Sequence, residues 1–179
     1  MRVTVFGGST PIPTDPDYQE AMQLGKLLGA AGYIVITGGY MGTMEAVSMG
    51  ASEVGGHVIG ITSDEIEAWR PGKPNAWMQE ERRFETARER LFALIDHCDA
   101  AIALPDGAGT LAEIAVLWKH MIISSPRPLI LVGAGWQRIF DEMFTNFHDD
   151  VPPAQRSLLS FVPDVQTTFK RLQSTIPSD

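Results

Sequence analysis

Five short apolar runs punctuate the chain, at residues 3–6, 33–36, 57–61, 100–104 and 128–132. They are mostly β-branched, and their hydrophobicity is near-continuous rather than alternating. That pattern marks strands buried on both faces, as in a parallel sheet. Between and after the runs, apolar positions recur at helical spacing over about residues 17–31, 43–54, 84–97, 110–123 and 136–147, and a last helix is expected after Pro163 and Asp164. Strands alternating with helices imply right-handed βαβ units. The predicted fold class is α/β, a doubly wound Rossmann-like parallel sheet flanked by helices. Residues 62–83 break the rhythm. This segment holds Pro71, Gly72, Pro74, Trp69 and Trp77 without a clear period, and a long connection of this kind reads as a functional or lid loop.

Length and charge narrow the picture. A chain of 179 residues with 44% apolar content suits one globular domain spanning 1–179. Only the polar stretch 174–179 reads as a piece without fixed structure. The net charge of −8 argues against a nucleic-acid partner, because binding a duplex needs clustered Lys and Arg. A small anion remains compatible, since backbone N–H groups at a helix N-terminus bind phosphate whatever the net charge. Cys98 is the one cysteine, so no intramolecular disulfide forms and a reducing, cytoplasmic setting is expected. Residues 1–6 run straight into a strand pattern rather than a signal peptide, and no apolar run is long enough to span a membrane. His57, His97, His120 and His148 lack ligand spacing among themselves or with Cys98, so no metal and no cofactor is called for.

Three strand ends carry glycine turns that lead into helices: Gly7-Gly8-Ser9-Thr10, Gly38-Gly39-Tyr40-Met41-Gly42-Thr43, and Pro105-Asp106-Gly107-Ala108-Gly109-Thr110. In an open parallel sheet, ligands sit outside the carboxyl ends of the strands, where glycine lets backbone N–H groups approach them closely. One such turn is ordinary chain reversal, whereas three together point to a ligand crevice. Gly107 to Ala112 also fits the dinucleotide fingerprint, but the next strand ends without the acid that would hold a ribose. No GK[ST] follows any of the turns, so a Walker phosphate loop is excluded too. Glu113 has two readings. Thr110-Leu111-Ala112-Glu113 spells a capping box, and a carboxylate one turn into a phosphate-facing helix also looks into the crevice. Arg88 and Arg90 flank the apolar stripe of their helix, and periodicity does not choose between them.

These residues together resemble the LONELY GUY (LOG) family. The resemblance is carried by Gly38-Gly39-x-x-Gly42-Thr43-Met44-Glu45-Ala46, by an arginine nine residues before Asp99-Ala100, and by Pro105-x-Gly107-x-Gly109-Thr110-x-x-Glu113. It spans residues 3 to about 147. The family cleaves the N-glycosidic bond of nucleoside 5′-monophosphates such as AMP, releasing free base and ribose 5-phosphate. The resemblance implies a homodimer, Arg90 and Glu113 as catalytic residues, and Gly107, Ala108, Gly109 and Thr110 as the phosphate loop. Gly8, Ser9, Gly38, Gly39 and Gly42 are then the remaining nucleotide-binding positions. A carboxylate suits an oxocarbenium-like sugar, and an arginine can hold phosphate or ribose in reactive geometry. Two positions depart from the family pattern: Leu91 stands where a lysine usually follows the arginine, and Asp106 stands at the second motif glycine. Both favour an alternative that the same fold allows, a carrier that holds a nucleotide or molybdenum cofactor without cleaving it.

Overall fold

The computed structural model describes residues 1–70 and 72–175; Pro71 and the last four residues of the polar C-terminal stretch lie outside them. The elements in chain order are β1 (Arg2–Phe6), α1 (Pro16–Ala30), β2 (Ile34–Thr37), α2 (Thr43–Glu53), β3 (Val58–Ser63), α3 (Asp64–Trp69) and β4 (Glu80–Phe84). They continue with α4 (Ala87–Asp96), β5 (Ala100–Ala103), α5 (Ala108–Ile123), β6 (Leu129–Val132), α6 (Ala134–Asn146), α7 (Pro153–Arg156), β7 (Leu159–Val162) and α8 (Val165–Ser174). All neighbouring strands pair in parallel, in the order β4-β3-β2-β1-β5-β6-β7. The chain works outward from β1 to one edge, then returns to β5 on the other side of β1. The order therefore reverses between β1 and β5, and this is where a doubly wound sheet opens a crevice.

Side chains alternate between two cores, one on each face of the sheet. On β1, Val3 and Val5 join Leu24, Val47 and Leu172 from the α1, α2 and α8 layer. Phe6 joins Leu94, Ile114 and Leu117 from the α4 and α5 layer. Thr4 faces that second layer too, and its hydroxyl donates to the Leu94 carbonyl at 2.9 Å. The five strands read from the apolar runs are the buried centre of the sheet.

The two remaining strands were not expected. β4 reads Glu-Glu-Arg-Arg-Phe and alternates between half-buried and exposed. β7 is likewise only half-buried at its middle residues. Both lie at sheet edges, so neither shows the continuous apolar signal of a strand covered on both faces. The edge β4 is held by ion pairs instead: Arg83 contacts Asp64 at 2.6 Å and Glu67 at 2.8 Å, both on α3. Residues 62–83, expected to form a functional or lid loop, contain the end of β3, helix α3 and the start of β4.

Candidate functional site

A crevice of about 290 Å³ opens at the β1/β5 switch point. Gly8 and Ser9 from the β1 turn, Gly109, Thr110 and Glu113 from α5, and Arg90 from α4 all line it. Six of the sequence-predicted site residues therefore meet in one place. Gly107 and Ala108 form the N-cap and first residue of α5 beside it. Gly38, Gly39 and Gly42 are not among the lining residues.

The glycines of the second turn shape the crevice from behind. A Cβ on Gly38 would strike the Arg90 guanidinium, so this glycine makes room for the arginine. Gly42 adopts φ +76 as the N-cap of α2, and a Cβ there would strike the Gly8 carbonyl. Thr43 then pins the first turn, donating its N–H at 2.9 Å and its hydroxyl at 3.1 Å to that same Gly8 carbonyl.

The first turn of α5 is bare. No side chain caps it, and the first N–H groups of a helix lack intrahelical partners. A Cβ on Gly107 or Gly109 would point into open space, so packing does not require glycine at either position. Their effect is to leave the helix N-terminus uncovered where its dipole favours an anion.

The capping-box reading of Thr110 and Glu113 is corrected by the helix start. Because α5 begins at Ala108 with Gly107 as N-cap, Thr110 is already its third residue. Its hydroxyl donates to the Asp106 carboxylate at 3.0 Å instead. The capping box in this part of the chain is Thr86 and Glu89, at the start of α4. Glu113 is thereby left to the crevice. Burial, the largest influence, pushes its carboxyl up to about 7; the Arg90 guanidinium opposes that, and Asp106 adds to it.

The structure also separates the two arginines. Arg88 is exposed on the outer side of α4, beside Phe84 and Phe92. Arg90 points inward. Its Nε donates to the Ile61 carbonyl at 2.7 Å and its Nη2 to the Gly38 carbonyl at 2.9 Å. The guanidinium lies 5.5 Å from the centroid of the Tyr40 ring. Burial lowers the Arg90 pKa, and Glu113 is the leading group that counteracts this. Tyr40 is itself fixed, its hydroxyl accepting from the Ser63 N–H at 2.9 Å and donating to the Ser63 carbonyl at 3.0 Å.

Sequence reasoning missed Tyr40, Met44, Ile66, Trp69 and Arg70 as lining residues. The last three come from α3 and its C-cap, inside the segment that carried no periodic signal. The one cue was that segment's length and its tryptophans. Asp106, expected as a negative charge beside the phosphate loop, lines the crevice with Gly109 and Thr110, and its carboxylate also lies against Gly8, where a Cβ would collide with it.

Residues 1–150 match the SLOG cluster4 family. The chain is 30% identical to the probable cytokinin riboside 5′-monophosphate phosphoribohydrolase LOGL9 of Oryza sativa subsp. japonica, over 98% of this chain and 79% of that protein. It is 28% identical to the cytokinin riboside 5′-monophosphate phosphoribohydrolase LOG5 of Arabidopsis thaliana, over 98% of this chain and 78% of that protein. Among solved structures, the molybdenum cofactor binding protein of Rippkaea orientalis superposes with a TM-score of 0.76 at 24% identity, covering 98% of this chain and 96% of the other. That likeness shows a shared fold.

Proposed function

The chain belongs to the SLOG cluster4 family and stands among the LOG proteins, and from that premise we propose that it is a nucleoside 5′-monophosphate phosphoribohydrolase. It cleaves the N-glycosidic bond of a substrate such as AMP and releases free base and ribose 5-phosphate. The observation that carries this reading is that Arg90 and Glu113 line the same switch-point crevice, where each charge offsets the cost of burying the other and the Glu113 carboxyl is raised.

The phosphate sits on the bare N–H groups of Ala108, Gly109 and Thr110, which places the ribose within the crevice toward Glu113. As the C1′–N bond breaks, the bonding electrons leave with the base, which takes up a proton from solvent. Positive charge then develops on the sugar, and the Glu113 carboxylate stabilises it. Water adds to C1′ and gives its proton to Glu113. A carboxyl titrating near 7 is a far stronger base than an ordinary one and is still substantially ionised at neutral pH. Arg90, anchored by two backbone carbonyls, keeps its Nη1 free of protein partners among the described residues. It holds the ribose or phosphate in reactive geometry.

The working unit in this reading is a cytoplasmic homodimer joined through α4 and α5. Phe92, Leu111 and Ile123 on these helices remain 43%, 38% and 71% exposed, an apolar surface that a second copy would cover. The second reading is a non-catalytic carrier of a nucleotide or molybdenum cofactor. Asp106, standing where the family motif has glycine, favours it as a departure from the hydrolase pattern. Incubating the pure protein with a panel of nucleoside 5′-monophosphates separates the two. Released base supports hydrolysis, whereas binding without release supports the carrier.

A further inference from the structure

We propose that Arg70 is the residue by which this crevice distinguishes a nucleoside 5′-monophosphate from the corresponding nucleoside. This inference rests on the nucleotide-binding reading but not on turnover. Arg70 lines the same crevice as Ser9, Thr110 and Glu113, yet it belongs to none of the glycine turns. It is the C-cap of α3, with extended backbone angles of φ −132 and ψ 105, and its side chain reaches Ser9.

Its electrostatic position differs from that of every other charged group in the crevice. Arg90 is tied to two carbonyls and balanced by Glu113. Asp106 accepts from the Thr110 hydroxyl. Arg70 makes its side-chain hydrogen bond to the neutral Ser9 hydroxyl, and among the described residues it forms no ion pair with a carboxylate. The indole of Trp69 lies against it, 5.7 Å from the guanidinium to the ring centroid, and supports the planar group from outside.

Ser9 belongs to the β1 turn, and the preceding Gly8 carries the Asp106 carboxylate against it. The Arg70–Ser9 contact therefore brings an uncompensated cation to the side of the crevice that holds the first-turn N–H groups of α5. Without Arg70, a phosphate dianion placed there would face Asp106 with only the α5 N–H groups and the carbonyl-bound Arg90 to offset it. With Arg70 present, exchanging the Ser9 oxygen for phosphate oxygens replaces a neutral acceptor with a charged one. The guanidinium fork matches that geometry in two parallel hydrogen bonds. The Ser9 contact holds the arginine ready until the phosphate arrives, which limits the ordering cost of binding.

The test reads binding in the Glu113→Gln background, so that no substrate is consumed. Titration calorimetry compares AMP with adenosine for this protein and for the same protein carrying Arg70→Ala or Arg70→Lys. The expected result is that Arg70→Ala weakens AMP binding by about 10- to 100-fold and leaves adenosine unchanged. Arg70→Lys should fall between, because lysine keeps the charge but loses the fork. Equal losses for AMP and adenosine would mean that Arg70 only shapes the crevice. An unchanged AMP affinity, or a parent protein that binds adenosine as tightly as AMP, overturns the proposal as well. Failure of the wild-type protein to release base would instead remove the hydrolase reading and leave the role of Arg70 standing.

Discussion

Replacing Glu113 with glutamine tests function and stability in one protein, because the change removes charge while keeping size. In the unfolded chain this carboxyl titrates at its ordinary 4.5, and in the folded chain at about 7. Between those values the folded state binds more protons, so stability is greatest below the lower value and falls as pH rises through the higher one. Holding the ionised form in the crevice therefore costs up to about 3 kcal/mol. Glu113 is half-buried rather than sealed, so water trims the figure, and about 1–3 kcal/mol is expected. Glutamine carries no charge at any pH. Glu113→Gln should match the wild type in urea denaturation at pH 4.5 and exceed it by that amount at pH 8, with an unchanged m-value. Release of base should fall at least about a hundredfold, since an amide neither stabilises an oxocarbenium ion nor accepts a proton. Lower stability at pH 8 would refute the electrostatic reasoning and restore a structural role for the glutamate. Undiminished base release would refute the catalytic assignment.

Arg90→Ala should cut turnover severely and Arg88→Ala hardly at all, because only Arg90 reaches the crevice; steady-state assays of base release check both. Asp106→Gly should tighten AMP binding by roughly fivefold, the equivalent of about 1 kcal/mol for a solvated charge, as read by calorimetry. Because Asp106 also raises the Glu113 carboxyl, kcat/KM in the wild type should rise with pH through about 7, and in Asp106→Gly the rise should come at lower pH. A profile that stays in place in the variant would dissociate the two carboxylates. Sedimentation equilibrium at micromolar concentration should show a dimer, and a monomer would count against the α4 and α5 interface.

What could be read from the sequence follows from burial. The five central strands are covered on both faces, so their apolar runs stand out, and the first and third glycine turns point to the crevice, which the second turn lines only through Tyr40. β4 failed to register because Glu80, Glu81, Arg82 and Arg83 serve an edge stabilised by ion pairs, and charged residues give no strand signal. Three Thr-x-x-Glu segments occur, at Thr62, Thr86 and Thr110, and local pattern alone does not say which of them forms a capping box. The answer depends on where α5 begins, and α5 begins at Ala108, outside the pattern. Arg88 and Arg90 are likewise inseparable by periodicity, because the choice was made by the Ile61 and Gly38 carbonyls on neighbouring strand ends. Arg70 had no periodic context at all; only its helix cap and its contact with Ser9 bring it to the site.

The balance between hydrolase and carrier turns on what each would ask of Glu113. A carrier of an anionic ligand needs cations and N–H donors, which Arg70, Arg90 and the start of α5 supply. For such a protein, a second carboxylate beside Asp106 is doubly unfavourable. It repels the ligand, and its ionised form destabilises the fold, since burial holds it near 7. A non-ionisable side chain of similar shape would serve a carrier better on both counts. A hydrolase of the same ligand requires that carboxylate, because charge develops on the sugar only in the transition state, and the gain there outweighs the ground-state repulsion. Glu113 is thus a group whose cost makes sense through chemistry rather than through binding. Its removal should tighten AMP binding even as it abolishes cleavage.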